Sequence, residues 1–202
     1  MILTMDGERR ALPDRTDSLA ALLDASRDVL PADHIIVSVR VNGEELVNET
    51  LAAQLGAGVA PDAQVDLESA PRGVVVAEAL RGLLDRLAAL EDYAPELATR
   101  LRTRSATVFS GELNPFLECW QDVTRTLSDG GALLERDLTT LPAGNLSEAL
   151  ATLSTTLRDL RSALDARDVV FIADILEYEQ PAQLAHWRAA LASIADHIEQ
   201  PG

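Results

Sequence analysis

Hydrophobic positions recur along this chain with two different periods, and the change falls near Pro71. Before it, apolar and polar residues alternate in short runs of strand type. Met1 to Met5 leads into Asp6-Gly7, a dipeptide that accepts positive φ and so suits a tight hairpin, and Arg9 to Leu12 returns as a second strand stopped by Pro13. Asp17 or Ser18 is placed to cap a helix with Leu19, Leu22, Leu23 and Leu30 on one face, ended by Pro31. His34 to Val41 alternates, with Ile35, Val37, Val39 and Val41 on one side and Ile36, Ser38 and Arg40 on the other. Asn42-Gly43 predicts a turn, Glu44 to Val47 the strand that pairs back, and Ala63 to Leu67 a last strand with Val65 and Leu67 inward.

After Pro71 the period becomes about 3.6, that of an amphipathic helix. Val74 to Glu91 reads as a helix with a stripe of leucines at 80, 83, 84, 87 and 90, broken or restarted by Pro95, with Ala94 to Arg104 helical beyond it. Ser105 to Leu127 predicts a return arm, with Pro115 near the start of a helical turn. Asp129-Gly130-Gly131 and Pro142-Ala143-Gly144-Asn145 bracket an irregular link. Ser147 is placed to cap a second leucine-striped helix, Glu148 to Ala166, and Val169 to Tyr178 and Pro181 to Glu199 complete its return arm.

The two helical stretches also share a pattern. Glu78-Ala79-Leu80 leads Trp120 by 42 residues through Glu112, Pro115 and Leu117; Glu148-Ala149-Leu150 leads Trp187 by 39 through Glu179, Pro181 and Leu184. That order reads as a degenerate tandem repeat of a helical hairpin, spanning 78–127 and 148–194. Two such hairpins bury most apolar surface by packing on one another, so a four-helix-type bundle is expected over residues 72–202. The predicted fold class is α+β, with an α+β module over 1–71 followed by this helical domain.

The order strand-strand-helix-strand-strand-strand, with Val41-Asn42-Gly43-Glu44-Glu45-Leu46 at its centre, resembles the ubiquitin-like β-grasp fold. The resemblance covers about the first 70 residues. Small sulfur carriers of that fold work through a free C-terminal Gly-Gly, whereas this module runs through Ala70-Pro71 into helices and the chain ends Glu199-Gln200-Pro201-Gly202. The resemblance therefore implies a binding surface and not a carrier.

Charge narrows the partners. All 17 basic residues are arginine, against 33 acids, for a net charge of −16. Residues 1–71 hold 13 acids and 5 arginines and residues 72–202 hold 20 and 12, so each part carries −8. The absence of lysine is the mark of base composition more than of function. A field this negative repels phosphate backbones, and few aromatics are present for base stacking, so nucleic acid is disfavoured and a basic protein partner is allowed. No apolar run approaches the ~18 residues of a membrane helix. Asp6 and Glu8 interrupt any basic-then-apolar leader, and the single Cys119 fits a reducing compartment, so a cytoplasmic location is expected.

Candidate chemistry is sparse. Asp174, Glu177 and Glu179 form an acidic cluster beside Tyr178, and Asp174 and Glu177, three apart, share a helix face. Di-iron bundles add Glu-x-x-His, which does not occur here, and His186 and His197 are eleven apart, too far to chelate together. The acids are expected to be taken up by an arginine such as Arg188. Cys119, beside Trp120, reads as a small core residue. There is no Gly-x-Ser-x-Gly, no Walker loop and no Gly-x-Gly-x-x-Gly, so no catalytic residue and no cofactor is expected. Trp120 and Trp187 are expected either to fill the core, each indole N–H reaching an acceptor, or to line a partner-facing groove.

The expectation from sequence is a non-enzymatic protein–protein interaction module or adaptor, self-associating as a homodimer in one version of it. Its candidate partner-binding residues are Asp174, Glu177, Tyr178, Glu179 and Trp187. The alternatives are an acidic chaperone or export adaptor for a client helix, and a carboxylate-metal enzyme.

Overall fold

The computed structural model describes residues 1–11, 18–103, 109–142, 144 and 146–199. The expected positions at Leu12, Pro13, Asp17, Arg104, Ser105, Ala143 and Asn145 lie outside them. The fold class is α+β, and the chain divides into two compact units, Met1–Arg72 and Gly73–Gly202.

In the first unit, β1 (Ile2–Met5) and β2 (Glu8–Arg10) form a hairpin whose turn places Asp6 and Gly7 at positive φ. Next come α1 (Leu19–Arg27), β3 (His34–Val41), β4 (Glu44–Glu45), α2 (Asn48–Leu55) and β5 (Gln64–Pro71). The sheet order is β2-β1-β5-β3-β4, with β1 parallel to β5 and the other pairs antiparallel. Ser18 caps α1, its hydroxyl accepting from the Ala21 N–H at 3.2 Å. Leu19, Leu22 and Leu23 of α1 pack with Leu3, Met5, Val39, Val65 and Leu67 of the sheet.

Three expectations change here. The strict alternation of β3 fails, because Ile36 pairs with Ser69 and Ser38 with Glu68, leaving Val37 as an extra residue. This bulge turns Val37 outward, 47% exposed, and puts Ile36 with Val39 and Val41 against the core. β4 stops at Glu45, although the Leu46 N–H still reaches the Val39 carbonyl at 2.9 Å. Helix α2 had no counterpart in the sequence reading. It starts where the Thr50 hydroxyl closes on both the Val47 N–H (2.9 Å) and its carbonyl (2.7 Å), and only Leu51 and Leu55 lean on the core.

The other face of the sheet is polar. One row crosses all five strands as Arg9, Thr4, Asp66, Arg40 and Glu45, and Arg40 pairs with Glu68 at 2.6 Å. Opposite charges on neighbouring strands satisfy one another in such a row.

The hairpin turn is tied to the end of the sheet. Ser69 donates its N–H to Asp6 Oδ1 (2.7 Å) and its hydroxyl to Oδ2 (2.8 Å). Because the one hydroxyl hydrogen goes to Asp6, it is His34 Nδ1 that donates to Ser69 Oγ, at 3.2 Å. The backbone N–H is the main cause holding the Asp6 carboxyl below the usual carboxylate range, with the hydroxyl, His34 and Arg10 adding to it against partial burial. A depressed folded pKa gives stability that is present above the unfolded value, near 4, and lost as pH falls through the folded one. Asp6→Asn, which keeps tolerance of positive φ, is therefore expected to lower the urea midpoint of this unit at neutral pH and to match wild type in acid. Amide resonances of β5 report the transition, and a gap that stays constant with pH would refute the linkage.

The second unit is helical: α3 (Arg72–Gly82), α4 (Leu84–Thr103), α5 (Phe109–Glu112), α6 (Asn114–Leu133), a 3₁₀ turn (Leu138–Thr140), α7 (Leu146–Ala166), α8 (Val169–Asp174), a π-helical segment (Ile175–Glu179) and α9 (Gln180–Glu199). The break expected at Pro95 lies instead at Leu83, just after Gly82, and α4 runs through Pro95, whose ring is exposed. Leu80, Leu83, Leu87 and Leu90, spaced by three, four and three residues, all reach the core. Gly130 and Gly131 are not in a link: α6 continues to Leu133, and a Cβ at Gly130 would lie 2.7 Å from Val76 Cγ1. Glycine is there so that α3 can approach α6 closely. Ser147 lies inside α7 and is not its cap. Among the described residues no helix is long and apolar enough to cross a membrane.

Candidate functional site

The acidic cluster sits where α8 passes through the π segment into α9, one helical run over residues 169–199. Asp168 starts it, its carboxylate accepting from the Phe171 N–H at 3.0 Å. Pro181 explains the π turn. Proline cannot donate to the carbonyl four residues back and its ring crowds it, whereas the wider turn closes with the Gln180 N–H on the Ile175 carbonyl.

The extra residue in the π turn decides which side chains face out. Ile172, Ala173, Ile175 and Leu176 are buried; Tyr178 is 69% exposed, Val170 63% and Phe171 41%. Asp174 and Glu177 are half-buried and do not meet Arg188. They hold Arg102 of α4, Asp174 at 2.8 Å and Glu177 through the other guanidinium nitrogen. The hydrogen bonds that Arg102 donates to the Asp174 and Glu177 carboxylates, with their charges adding to the effect, raise its pKa beyond the usual value. Arg188 instead pairs with Glu91 of α4 at 2.7 Å. The three acids are thus not equivalent: two fasten the helical run to α4, and Glu179 alone is an exposed acid.

Trp187, the remaining candidate, is corrected by the structure. It has no exposed surface and meets Trp120 of α6 edge-on, with ring centroids 5.5 Å apart and planes at 62°. Neither indole N–H finds an acceptor among the described residues, contrary to the expectation that each would. Gln180 and Gln183 point inward on the same helix face and share one hydrogen bond, at 3.2 Å.

Cys119 is buried, and burial pushes its thiol up, which weakens it as a nucleophile. It lines a cavity of about 410 Å³ with Arg86, Leu90, Tyr93, Pro115 and Glu118. Arg86, the cation lining it among the described residues, is held by Asp122. Among the described residues no group of three or more His, Cys, Asp or Glu is placed to hold a metal ion.

Sequence reasoning missed Arg102, which no local pattern links to residues more than 70 positions away, and the exposure of Val170 and Phe171. It also passed over a feature that spacing does show. Continuing along the outer face from Tyr178 come Ala182, Ala185 and Ala189, all exposed, where the outer faces of α4 and α6 carry charges such as Glu96, Glu118 and Arg125. Comparison with known proteins finds no matching family model, no matching curated protein and no matching solved structure.

Proposed function

We propose that this chain is a non-enzymatic protein–protein interaction module of adaptor type, and that its binding surface is the outer face of the helical run 169–199. The observation that carries the reading is the exposure of Tyr178, Val170 and Phe171 on a run pinned to the core by the Arg102 bridges. Large side chains held rigidly in water favour binding, because little conformational freedom remains to be lost on association. Asp174 and Glu177 belong to the support of that surface, and Glu179 to its rim, where a basic group of a partner would meet it. Around residues 1–71, the strand order with β1 parallel to β5 supports a β-grasp-like module, whose outer charge row would present a polar face.

The test is a tagged pull-down from the native host, comparing wild type with Tyr178→Asp and washing at low and high salt. The proposal expects a stoichiometric protein, the chain itself included, that wild type retains through high salt and the variant loses. Equal recovery by both baits, or recovery of the bait alone, would sink it. Reversing Glu179 to Arg is expected to leave thermal unfolding unchanged, whereas reversing Asp174 and Glu177 sets three cations together and lowers the melting temperature.

A further inference from the structure

We infer that the cavity between α4 and α6 is a binding site for a small organic cation, one that carries an ammonium group on an apolar body. The site shares no residue with the run 169–199, so it stands or falls independently of the interaction reading above.

The cavity, about 410 Å³, has the size of a small-molecule site. Its floor is apolar and closed. Leu90 and Cys119 are buried there, and the thiol, its pKa pushed up by burial, stays neutral. Ala89 of α4 and Pro115 of α6 stand exposed at the mouth. Tyr93 is a fixed part of the wall: its ring stacks with Phe116, centroids 5.9 Å apart and planes at 26°, and the Arg100 guanidinium lies 5.0 Å from its centroid. A wall already ordered loses little freedom when a ligand enters.

Charge around the cavity is one-sided. Glu118 lines it, is exposed, and forms no ion pair among the described residues; its charge adds to that of Asp122 on Arg86. Along α4, Asp85, Ala89, Asp92 and Glu96 follow one another at intervals of four, three and four residues. Three more exposed acids therefore run in line with a residue of the mouth, and none of them is paired with an arginine among the described residues. Two cations, Arg86 and Arg100, thus stand against the carboxylates of Asp85, Asp92, Glu96, Glu118 and Asp122. Arg125 of α6 lies two turns beyond Glu118, past the Arg86–Asp122 bridge. The net charge of −16 adds a field of the same sign at longer range. An apolar body gains by leaving water for the floor, while at the mouth a carboxylate is repelled and an ammonium group meets Glu118.

The test uses the full chain and three probes of one shape: phenethylammonium, phenethyl alcohol and hydrocinnamate. Amide resonances of isotope-labelled protein are followed as each is added. The cation is expected to shift residues near Leu90 and Cys119 saturably, the alcohol more weakly and the carboxylate not at all. Glu118→Gln is expected to weaken the cation about fivefold, the effect of one charge at ion-pair distance in water, and to leave the alcohol unchanged. Asp165→Asn, the same loss of charge at an exposed position of α7, is expected to leave the cation's affinity as it was. Ala89→Phe, which fills the mouth from an exposed position, is expected to abolish the shifts by both ligands, with circular dichroism confirming the fold. Should that variant not fold, Glu118→Gln and the probe series decide by themselves. No saturable shift with the cation, shifts centred elsewhere, equal binding of the three probes, or a loss no greater in Glu118→Gln than in Asp165→Asn would overturn the inference.

Discussion

Trp187→Ala is expected to destabilise the helical unit by about 3–5 kcal/mol, the range for emptying a fully buried aromatic site. The indole is closed off from solvent, its edge contact with Trp120 is lost, and Gln183 one turn away is left beside a void. Trp187→Phe separates two causes. The N–H of Trp187 has no acceptor to lose, so the ring's volume and contacts are what it contributes, and phenylalanine is expected to recover most of the loss. Urea unfolding followed by the fluorescence of Trp120 measures both. A phenylalanine variant as weak as the alanine one would show that a hydrogen bond of the indole N–H, absent from the geometry described, holds the site.

Leu22→Ala is expected to have the next largest effect, and it should be confined to the first unit. Leu22 is wholly buried in a core cluster that, among the described residues, has eight buried apolar side chains. The cost of such a truncation, about 2–5 kcal/mol, is comparable with the whole stability of a domain this small. Both tryptophans lie in the second unit, so their fluorescence is expected to stay native while amide resonances of β1, β3 and β5 collapse. Simultaneous loss of both signals would show that the units unfold as one.

Among the described residues, four arginines fasten helices within the second unit through acids: Arg81 to Asp196 and Glu199, Arg86 to Asp122, Arg102 to Asp174 and Glu177, and Arg188 to Glu91. An acidic cluster seen in the sequence is therefore only in part a surface for partners. Exposed pairs of this kind contribute little each. The burial of Ile172, Ile175, Leu176, Leu184 and Trp187 turns that face of the run inward, which leaves Tyr178 and the alanines outside.

Much of the fold was legible because local chemistry decides it. The turns at Asp6-Gly7 and Asn42-Gly43 rest on residues that tolerate positive φ, and both are found there. The bounds of β3 and the end of α7 follow from periodicity and its interruption. Glycine and proline were the misleading signals. Gly130 looked like a stop, yet it stays helical because α3 needs the space; Pro95 looked like a break, yet it faces solvent at a position where one missing N–H is tolerated. The bulge at Val37 was invisible because a one-residue slip leaves the sequence pattern unchanged while exchanging the faces.

The sequence by itself determined the α+β class, the switch of period near Pro71, the leucine stripes and the neighbourhood of the acids, all consequences of spacing within a few residues. Only the tertiary structure decided that Trp187 is core, that Arg102 and not Arg188 holds Asp174 and Glu177, and that Tyr178 stands in water. Those outcomes depend on where α4 and α6 lie against the run 169–199 and on a single extra residue in its π turn. Contacts across such distances along the chain leave no local periodicity to be read.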